Sequence, residues 1–134
     1  MAVDRALLRR LVRARDLARS RFDAAISVDQ LAREAGLSRA HFLRSFRSTF
    51  GQTPHAFIID LRIETARREL ARGASVTEAC MRVGFSSVGS FSSLFRARVG
   101  ESPRAWQRRV RTLVASPGLW PSVWIPGCYL SMYT

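Results

Sequence analysis

The residues best suited to molecular recognition in this chain are serines and arginines in two short segments. The first segment, GFSSVGSFSSLF from Gly84 to Phe95, places five serines among three phenylalanines. Phe91 and Phe95 are four residues apart, which predicts a helix with one buried face. Serine is a mediocre helix former, and an ordinary solvent face would carry Glu, Lys or Arg instead. Hydroxyls on such a face can donate and accept hydrogen bonds, and the small side chains allow close approach to a partner.

The second segment, SRAHFLRSFRSTFG from Ser38 to Gly51, lies earlier in the chain, has phenylalanines at the same four-residue spacing and carries three arginines among them. Its phenylalanines predict a buried stripe, and the opposite face is expected to hold Arg39, Ala40, Leu43, Arg44 and Arg47. A guanidinium group can bind phosphate oxygens or the edge of guanine through two parallel hydrogen bonds. A solvated helix face is the ordinary alternative for any one of these arginines, and Leu43 could equally belong to the core.

Composition favours a polyanionic partner. The 134 residues carry a formal net charge of +12, and all 22 cationic residues are arginine, although a GC-rich genome could also explain that bias. A basic chain of this size, enough for one domain, most often binds nucleic acid and less often an anionic membrane surface. We therefore expect nucleic acid first.

Several classes of protein are disfavoured by the sequence. Two cysteines, Cys80 and Cys128, are too few for a disulfide framework. With two histidines, His41 and His55, we expect no metal site and no cofactor. The sequence contains no paired carboxylates, no nucleophile–base pair and no phosphate-binding loop, so it gives no indication of an enzyme. Arginines interrupt the N-terminal segment, which excludes a signal peptide. No apolar run reaches membrane-spanning length, so we expect a cytoplasmic protein.

An internal repeat determines the predicted architecture. SVDQLAREAGLS at 27–38 aligns with SVTEACMRVGFS at 75–86, an offset of 48 residues. Each copy opens with a capping box, in which a serine hydroxyl and a Gln or Glu side chain bond each other's backbone amides. Each copy then reaches a glycine, Gly36 or Gly84, that can end a short helix in the left-handed conformation.

The repeat continues beyond that glycine at an offset of 49. The matching pairs are Phe42 and Phe91, Phe46 and Phe95, Gly51 and Gly100, Pro54 and Pro103, and Phe57 and Trp106. Thr53-Pro54 and Ser102-Pro103 each predict an N-cap followed by proline at the first helical position. A short helix, a glycine-containing turn and a second helix form the helix-turn-helix signature, which this chain carries twice.

The remaining elements complete an all-α fold of two helix-turn-helix subdomains joined by a long linker helix, bilobed and homeodomain-like. We predict an amphipathic helix over 3–19, a linker helix over 54–72 ended by Gly73, and a last helix over 103–114. The corresponding divisions are 1–73, 74–114 and an aromatic, Pro-containing tail at 115–134. The linker would span roughly 28 Å at 1.5 Å per residue, against about 34 Å between successive major-groove faces.

The second copy resembles the signature of the AraC/XylS family of bacterial transcription regulators. The matching residues are Gly84-Phe85-Ser86, Phe91, Phe95-Arg96, Gly100 and Ser102-Pro103. The first copy is similar to the family's S-x-x-H-[LF]-x-R-x-F pattern, and the resemblance covers about residues 5–110. It implies a DNA-binding domain that inserts two recognition helices into successive major grooves of double-stranded DNA as a monomer.

The resemblance implies roles for Arg44 and His41, and side-chain chemistry suggests roles for the other candidate residues. Arg44 matches the family's arginine and is the expected base reader, Arg39 and Arg47 are expected on phosphates, and Ala40 and Leu43 could meet thymine methyls. His41 fits a family position and is expected to bond the turn or a phosphate. In the second helix the expected DNA contacts are Ser87, Val88, Gly89, Ser90, Ser92, Ser93 and Arg96.

The second copy departs from the family pattern at Ser93, where an arginine is usual. We therefore expect an asymmetric reader, in which the first unit chooses the sequence and the second adds backbone and shape contacts. The alternative is that the second unit only packs against the first.

RNA polymerase is the expected protein partner, recruited or obstructed by the bound chain. The sequence also allows two other functions. The chain could be the DNA-binding portion of a longer ligand-sensing regulator, or a basic helical protein that binds a membrane surface through its first helix. The tail, with Trp120 and Trp124, could fold back over apolar surface or contact a partner. Cys80 is expected as core filler.

Overall fold

The computed structural model describes residues 4–115, and within that range the chain is all-helical. Seven helices follow in chain order: α1 (Arg5–Arg21), α2 (Val28–Ala35), α3 (Arg39–Phe50), α4 (Pro54–Ala71), α5 (Val76–Arg82), α6 (Val88–Val99) and α7 (Pro103–Ala115). The all-α fold class predicted from the sequence is confirmed, with α2–α3 and α5–α6 as the two helix-turn-helix units.

Both predicted capping boxes are present at the starts of α2 and α5. The Oγ atom of Ser27 accepts from the backbone N–H of Gln30 at 3.1 Å, and the Gln30 side chain accepts from the backbone N–H of Ser27 at 2.7 Å. Ser75 and Glu78 make the same pair of bonds at 3.1 and 3.3 Å. Each box satisfies two amides that would otherwise lack partners, which fixes where the first helix of each unit begins.

The turns that follow α2 and α5 share one hydrogen-bonding pattern. Gly36 and Gly84 both have positive φ, +66° and +91°. After these glycines, the backbone N–H of Leu37 donates to the Ala32 carbonyl at 3.0 Å, and that of Phe85 donates to Cys80 at 3.1 Å. This six-residue closure is the Schellman ending of a helix, and it turns the chain sharply into α3 and α6.

Each unit has its own hydrophobic core, built around equivalent aromatic residues. In the first, the ring centroids of Phe42 and Phe46 lie 5.6 Å apart, and those of Phe46 and Phe57 lie 5.9 Å apart. In the second, Phe91 and Phe95 are 5.7 Å apart, and Phe95 lies 6.2 Å from Trp106. Phe42 and Phe91 are fully buried, as the repeat predicted.

The linker helix α4 contributes to both cores. Ile58 packs in the first core with α1, α2 and α3, whereas Ile59, Ile63 and Leu70 pack in the second. The domain boundary that we predicted from the sequence, after residue 73, places α4 with the first unit. Most of the buried side chains of α4, however, lie in the second core. The 18-residue helix spans roughly 27 Å at 1.5 Å per residue.

Cys80 is fully buried in the second core, with its Sγ atom 3.9 Å from the carbonyl oxygen of Phe85. Burial raises the pKa of the Cys80 thiol. Both observations agree with the expected packing role, because a protonated, enclosed thiol is a poor nucleophile. Cys128 and the aromatic tail fall outside the described residues.

Candidate nucleic-acid interface

The second helix of the first unit, α3, is oriented by its phenylalanines and begins at a serine N-cap. The Oγ atom of Ser38 accepts from the backbone N–H of His41 at 3.2 Å. Burial of Phe42 and Phe46 turns the opposite face outward, and the residues exposed there are Arg39, Ala40, His41, Arg44 and Arg47. Leu43 is half-buried at the edge between the two faces.

The arginines of α3 differ in their internal partners. Arg39 forms an ion pair with Asp29 of α2 at 3.0 Å, and both side chains are more than half exposed. Within residues 4–115, Arg44 and Arg47 make no ion pair or side-chain hydrogen bond with another residue. An exposed ion pair contributes about 0–1 kcal/mol, so Arg39 can exchange Asp29 for a phosphate at little cost. Arg44 and Arg47 are available without any such exchange.

The second unit presents its serine-rich helix, α6, in the same way. Ser87 is the N-cap, with its Oγ atom accepting from the backbone N–H of Ser90 at 3.3 Å. The exposed residues are Ser87, Val88, Gly89, Ser90, Ser93 and Arg96. Ser92 is half-buried, like Leu43, which occupies the matching position 49 residues earlier.

The two outward faces are equivalent in geometry but different in chemistry. At matching repeat positions, α6 carries Val88, Ser90 and Ser93 where α3 carries Arg39, His41 and Arg44. Of the three arginines on the α3 face, Arg47 alone is matched by an arginine on α6, Arg96. In the described part of the chain, the hydroxyls of Ser90 and Ser93 have no hydrogen-bond partner. The side chains on the α6 face are therefore short and include free hydroxyls, whereas those on the α3 face include long, positively charged arginines.

The capping role of Ser38 was not predicted from the sequence. Ser87 was predicted to contact DNA, but its role as the N-cap of α6 was not predicted. The signal was available, because both serines lie directly before the helices that carry the phenylalanine stripes. The N-cap bonds still leave one lone pair and the hydroxyl proton of each serine for a ligand.

Among residues 4–115, no group of His, Cys, Asp or Glu side chains is arranged to hold a metal ion. Over the same residues, no helix has the length and apolar character needed to cross a bilayer. His41 is exposed, and its backbone N–H is the donor to the Ser38 cap. The candidate interface presents exposed arginines and serine hydroxyls.

A family model described as a helix-turn-helix domain, of AraC type, matches residues 31–109 of this chain, more than half of its length. The chain belongs to the AraC family. The matched residues run from α2 into α7, so they include both exposed faces described above. The resemblance predicted from the repeated motifs is confirmed.

Relatives of this AraC-type chain include the probable transcriptional regulator LumQ of Photobacterium leiognathi, which is 36% identical over 87 residues. That match covers 64% of this chain and 35% of LumQ. The chain thus spans about a third of the length of this curated relative.

Solved structures of similar fold agree with this assignment. The DNA-binding domain of AdpA, crystallised with a target DNA, has a TM-score of 0.72 at 33% identity, covering 76% of this chain and 93% of that domain. An AraC-type regulator from Chromobacterium violaceum also has a TM-score of 0.72, at 28% identity, covering 83% of this chain and 96% of the other.

Proposed function

We propose that this chain binds double-stranded DNA as a monomer and regulates transcription, with α3 and α6 in successive major grooves. The observation that carries the proposal is the duplicated geometry. Two N-capped helices, each fixed by two buried phenylalanines, expose equivalent faces of cations or hydroxyls. A helix of this kind fits the major groove, and backbone hydrogen bonds at its N-terminus favour phosphate.

The difference between the two faces supports an asymmetric reader. Arg44 has the length and the planar fork to reach a base edge, while Arg39 and Arg47 flank it and suit phosphates. In α6, Ser93 is too short to reach as far as Arg44 does, but Gly89 and the serines allow close approach of the backbone. The first unit then selects sequence, and the second contributes mainly backbone and shape contacts.

Selection of bound duplexes from a random pool, followed by substitution of each base pair in turn, tests this proposal. We expect two blocks of contacted base pairs about one helical turn apart, with the larger losses in the block contacted by α3. Equal losses in both blocks would contradict the asymmetric reading. Equal affinity for selected and scrambled duplexes would contradict sequence-specific binding altogether.

Salt dependence provides a separate prediction. The logarithm of the binding constant should fall with the logarithm of salt concentration by roughly 0.9 for each phosphate neutralised, because binding releases condensed counterions. The midpoint of a fluorescence anisotropy titration at several salt concentrations gives the slope. A slope near zero would mean that the exposed arginines do not contact phosphates.

Ser93→Arg should restore the arginine that the second unit lacks. We expect about a tenfold gain in preference for one base pair in the weaker block, somewhat below the full value of an arginine–guanine pair. Thr77→Arg, on the exposed side of α5, adds the same charge to the same unit and serves as the control. If both variants gain affinity equally for all sequences, the gain is electrostatic and Ser93 does not face a base.

The wider role of the chain follows from its family. Family and fold are those of transcription regulators rather than enzymes, so we assign it no catalytic activity and no cofactor. We place it in the cytoplasm, associated with DNA, and we propose RNA polymerase as its protein partner. Pull-down of polymerase on a selected duplex would test that contact, with a scrambled duplex as the control.

A second candidate role is the DNA-binding portion of a longer, ligand-sensing regulator. It is favoured by the coverage of LumQ, 35%, because most of that protein lies outside the matched region. The intact mass of the protein in its native cell distinguishes the two roles: a mass near 15.1 kDa fits the chain acting alone, and a larger mass fits the longer regulator.

A further inference from the structure

Arg62, near the middle of α4, contacts the backbone of both units. Its Nε atom donates to the carbonyl oxygen of Phe22 at 2.6 Å, and Nη2 donates to that of Ala24 at 3.1 Å. Both carbonyls belong to the connection between α1 and α2, and we count α1 with the first unit because its buried residues lie in the first core. On the other side, Nη1 donates to the Gly84 carbonyl in the second unit at 3.5 Å, and the guanidinium carbon lies 5.6 Å from the Phe85 ring centroid.

The same two segments also meet directly, main chain against main chain. A Cβ atom built on Gly84 would lie 2.4 Å from the carbonyl oxygen of Asp23 and 3.0 Å from its carbonyl carbon. Only glycine permits this approach, and the φ of +91° at Gly84 is independently suited to glycine. The turn of the second unit therefore rests on the α1–α2 connection of the first, beside Arg62.

The chemistry of Arg62 suits a clamp between backbone carbonyls. The guanidinium is planar and directs its donors along fixed directions, so three carbonyls from two segments can share one side chain. Phe22 ends α1, where a cation also interacts favourably with the helix dipole. Burial lowers the pKa of Arg62 and nearby Asp23 opposes that shift, but an arginine remains protonated in proteins.

We propose that Arg62 is a positioning residue that fixes the orientation of α3 relative to α6, and thereby the spacing between half-sites that the chain accepts. A single helix such as α4 can bend along its length, so by itself it does not fully fix the orientation of one unit relative to the other. A second contact, away from the helix axis, removes that freedom. The DNA consequence rests on the proposed function, whereas the fixed orientation does not.

A distance measurement without DNA tests the structural part. Ser48→Cys on α3 and Ala97→Cys on α6 introduce exposed labelling sites at matching repeat positions, with Cys128→Ser removing the tail thiol and Cys80 protected by burial. Double electron–electron resonance between two spin labels should give one narrow distance distribution. Arg62→Lys keeps the charge but loses the planar fork, and should broaden or shift that distribution.

Arg98→Lys is the matched control. Arg98 forms an ion pair with Asp60, joining α6 to α4 without contacting the first unit. Its replacement should leave the distance distribution unchanged. Circular dichroism first establishes that each variant keeps its helices. If Arg62→Lys does not fold, Gly84→Ala is the second variant, because its methyl group would push the turn of the second unit away from Asp23 and should broaden the distribution. Gly100→Ala is its control, since a Cβ atom there meets nothing within 4 Å.

A spacing assay tests the functional part. The probes are duplexes selected by the unaltered chain, and the same duplexes with one base pair inserted between the two contacted blocks. The unaltered chain and Arg98→Lys should strongly prefer the original spacing. Arg62→Lys should reduce that preference about tenfold, which is the scale of losing one hydrogen bond to a charged group.

The outcomes separate the inference from the proposed function. An unchanged distance distribution in Arg62→Lys, or an unchanged spacing preference, overturns the positioning role. If no duplex shows two contacted blocks, the proposed two-groove binding fails, and the distance measurement still decides whether Arg62 fixes the lobes. A broadened distribution together with relaxed spacing supports the inference in full.

Discussion

Gly84→Ala should lower the free energy of unfolding by about 2–5 kcal/mol, the largest stability loss we expect from adding one methyl group to this chain. Two costs combine. A left-handed backbone conformation costs a non-glycine residue about 1–2 kcal/mol, and forcing an atom into a packed contact costs about 1–3 kcal/mol. The contact here is with backbone, the carbonyl group of Asp23, which cannot rotate away as a flexible side chain would.

Gly100→Ala is a closely matched control for this change. Gly100 has a φ of +95°, nearly the value at Gly84, but a Cβ atom built there meets nothing within 4 Å. It should therefore lose only the conformational part, about 1–2 kcal/mol. Chemical denaturation followed by circular dichroism measures both variants. Equal losses would show that the Asp23 connection moves aside freely and that the two units are not in firm contact.

Arg44→Ala should remove sequence preference at one position of one half-site while leaving the fold intact. An arginine bidentate to guanine discriminates against other bases by about 1–3 kcal/mol, or roughly 5- to 150-fold in affinity. Arg44 is exposed and has no partner within residues 4–115, so its loss should not change stability beyond about 0.5 kcal/mol. Repeating the random-pool selection with the variant should return duplexes with one position relaxed.

Arg47→Ala distinguishes a base contact from a charge effect. Arg47 lies on the same outward face of α3 and carries the same charge, but we expect it on a phosphate. Its removal should weaken binding to all duplexes alike and reduce the salt slope by about one phosphate contact. If Arg44→Ala behaves in the same way, without relaxing any position, then Arg44 also contacts phosphate and the base reader lies elsewhere.

Local structure in this chain was largely readable from the sequence because its signals are local. The capping boxes at Ser27 and Ser75 depend on residues three apart, and the left-handed turns depend on the single glycines Gly36 and Gly84. Burial of Phe42 and Phe91 followed from helical spacing together with the repeat. The outward faces were predicted for the same reason, since fixing the buried stripe of a helix also fixes its opposite side.

Relations between distant segments were not readable in this way. Nothing in the surroundings of Arg62 distinguishes it from the other arginines, and its partners, Phe22, Ala24 and Gly84, are 22 to 40 residues away. The Asp29 partner of Arg39 and the division of α4 between two cores were likewise unforeseen. Each depends on how helices pack, which local propensity does not specify.

The sequence by itself determined that this chain has two copies of one helical unit, where each unit turns, and which side of each second helix faces outward. Those properties arise from interactions within one or two helical turns, and the repeat shows each of them twice. Only the tertiary structure decided that the turn of the second unit lies against the α1–α2 connection of the first, with Arg62 donating to both. That contact joins carbonyl groups and a glycine, and because every residue has a carbonyl, no side-chain pattern in the sequence marks which of them will meet.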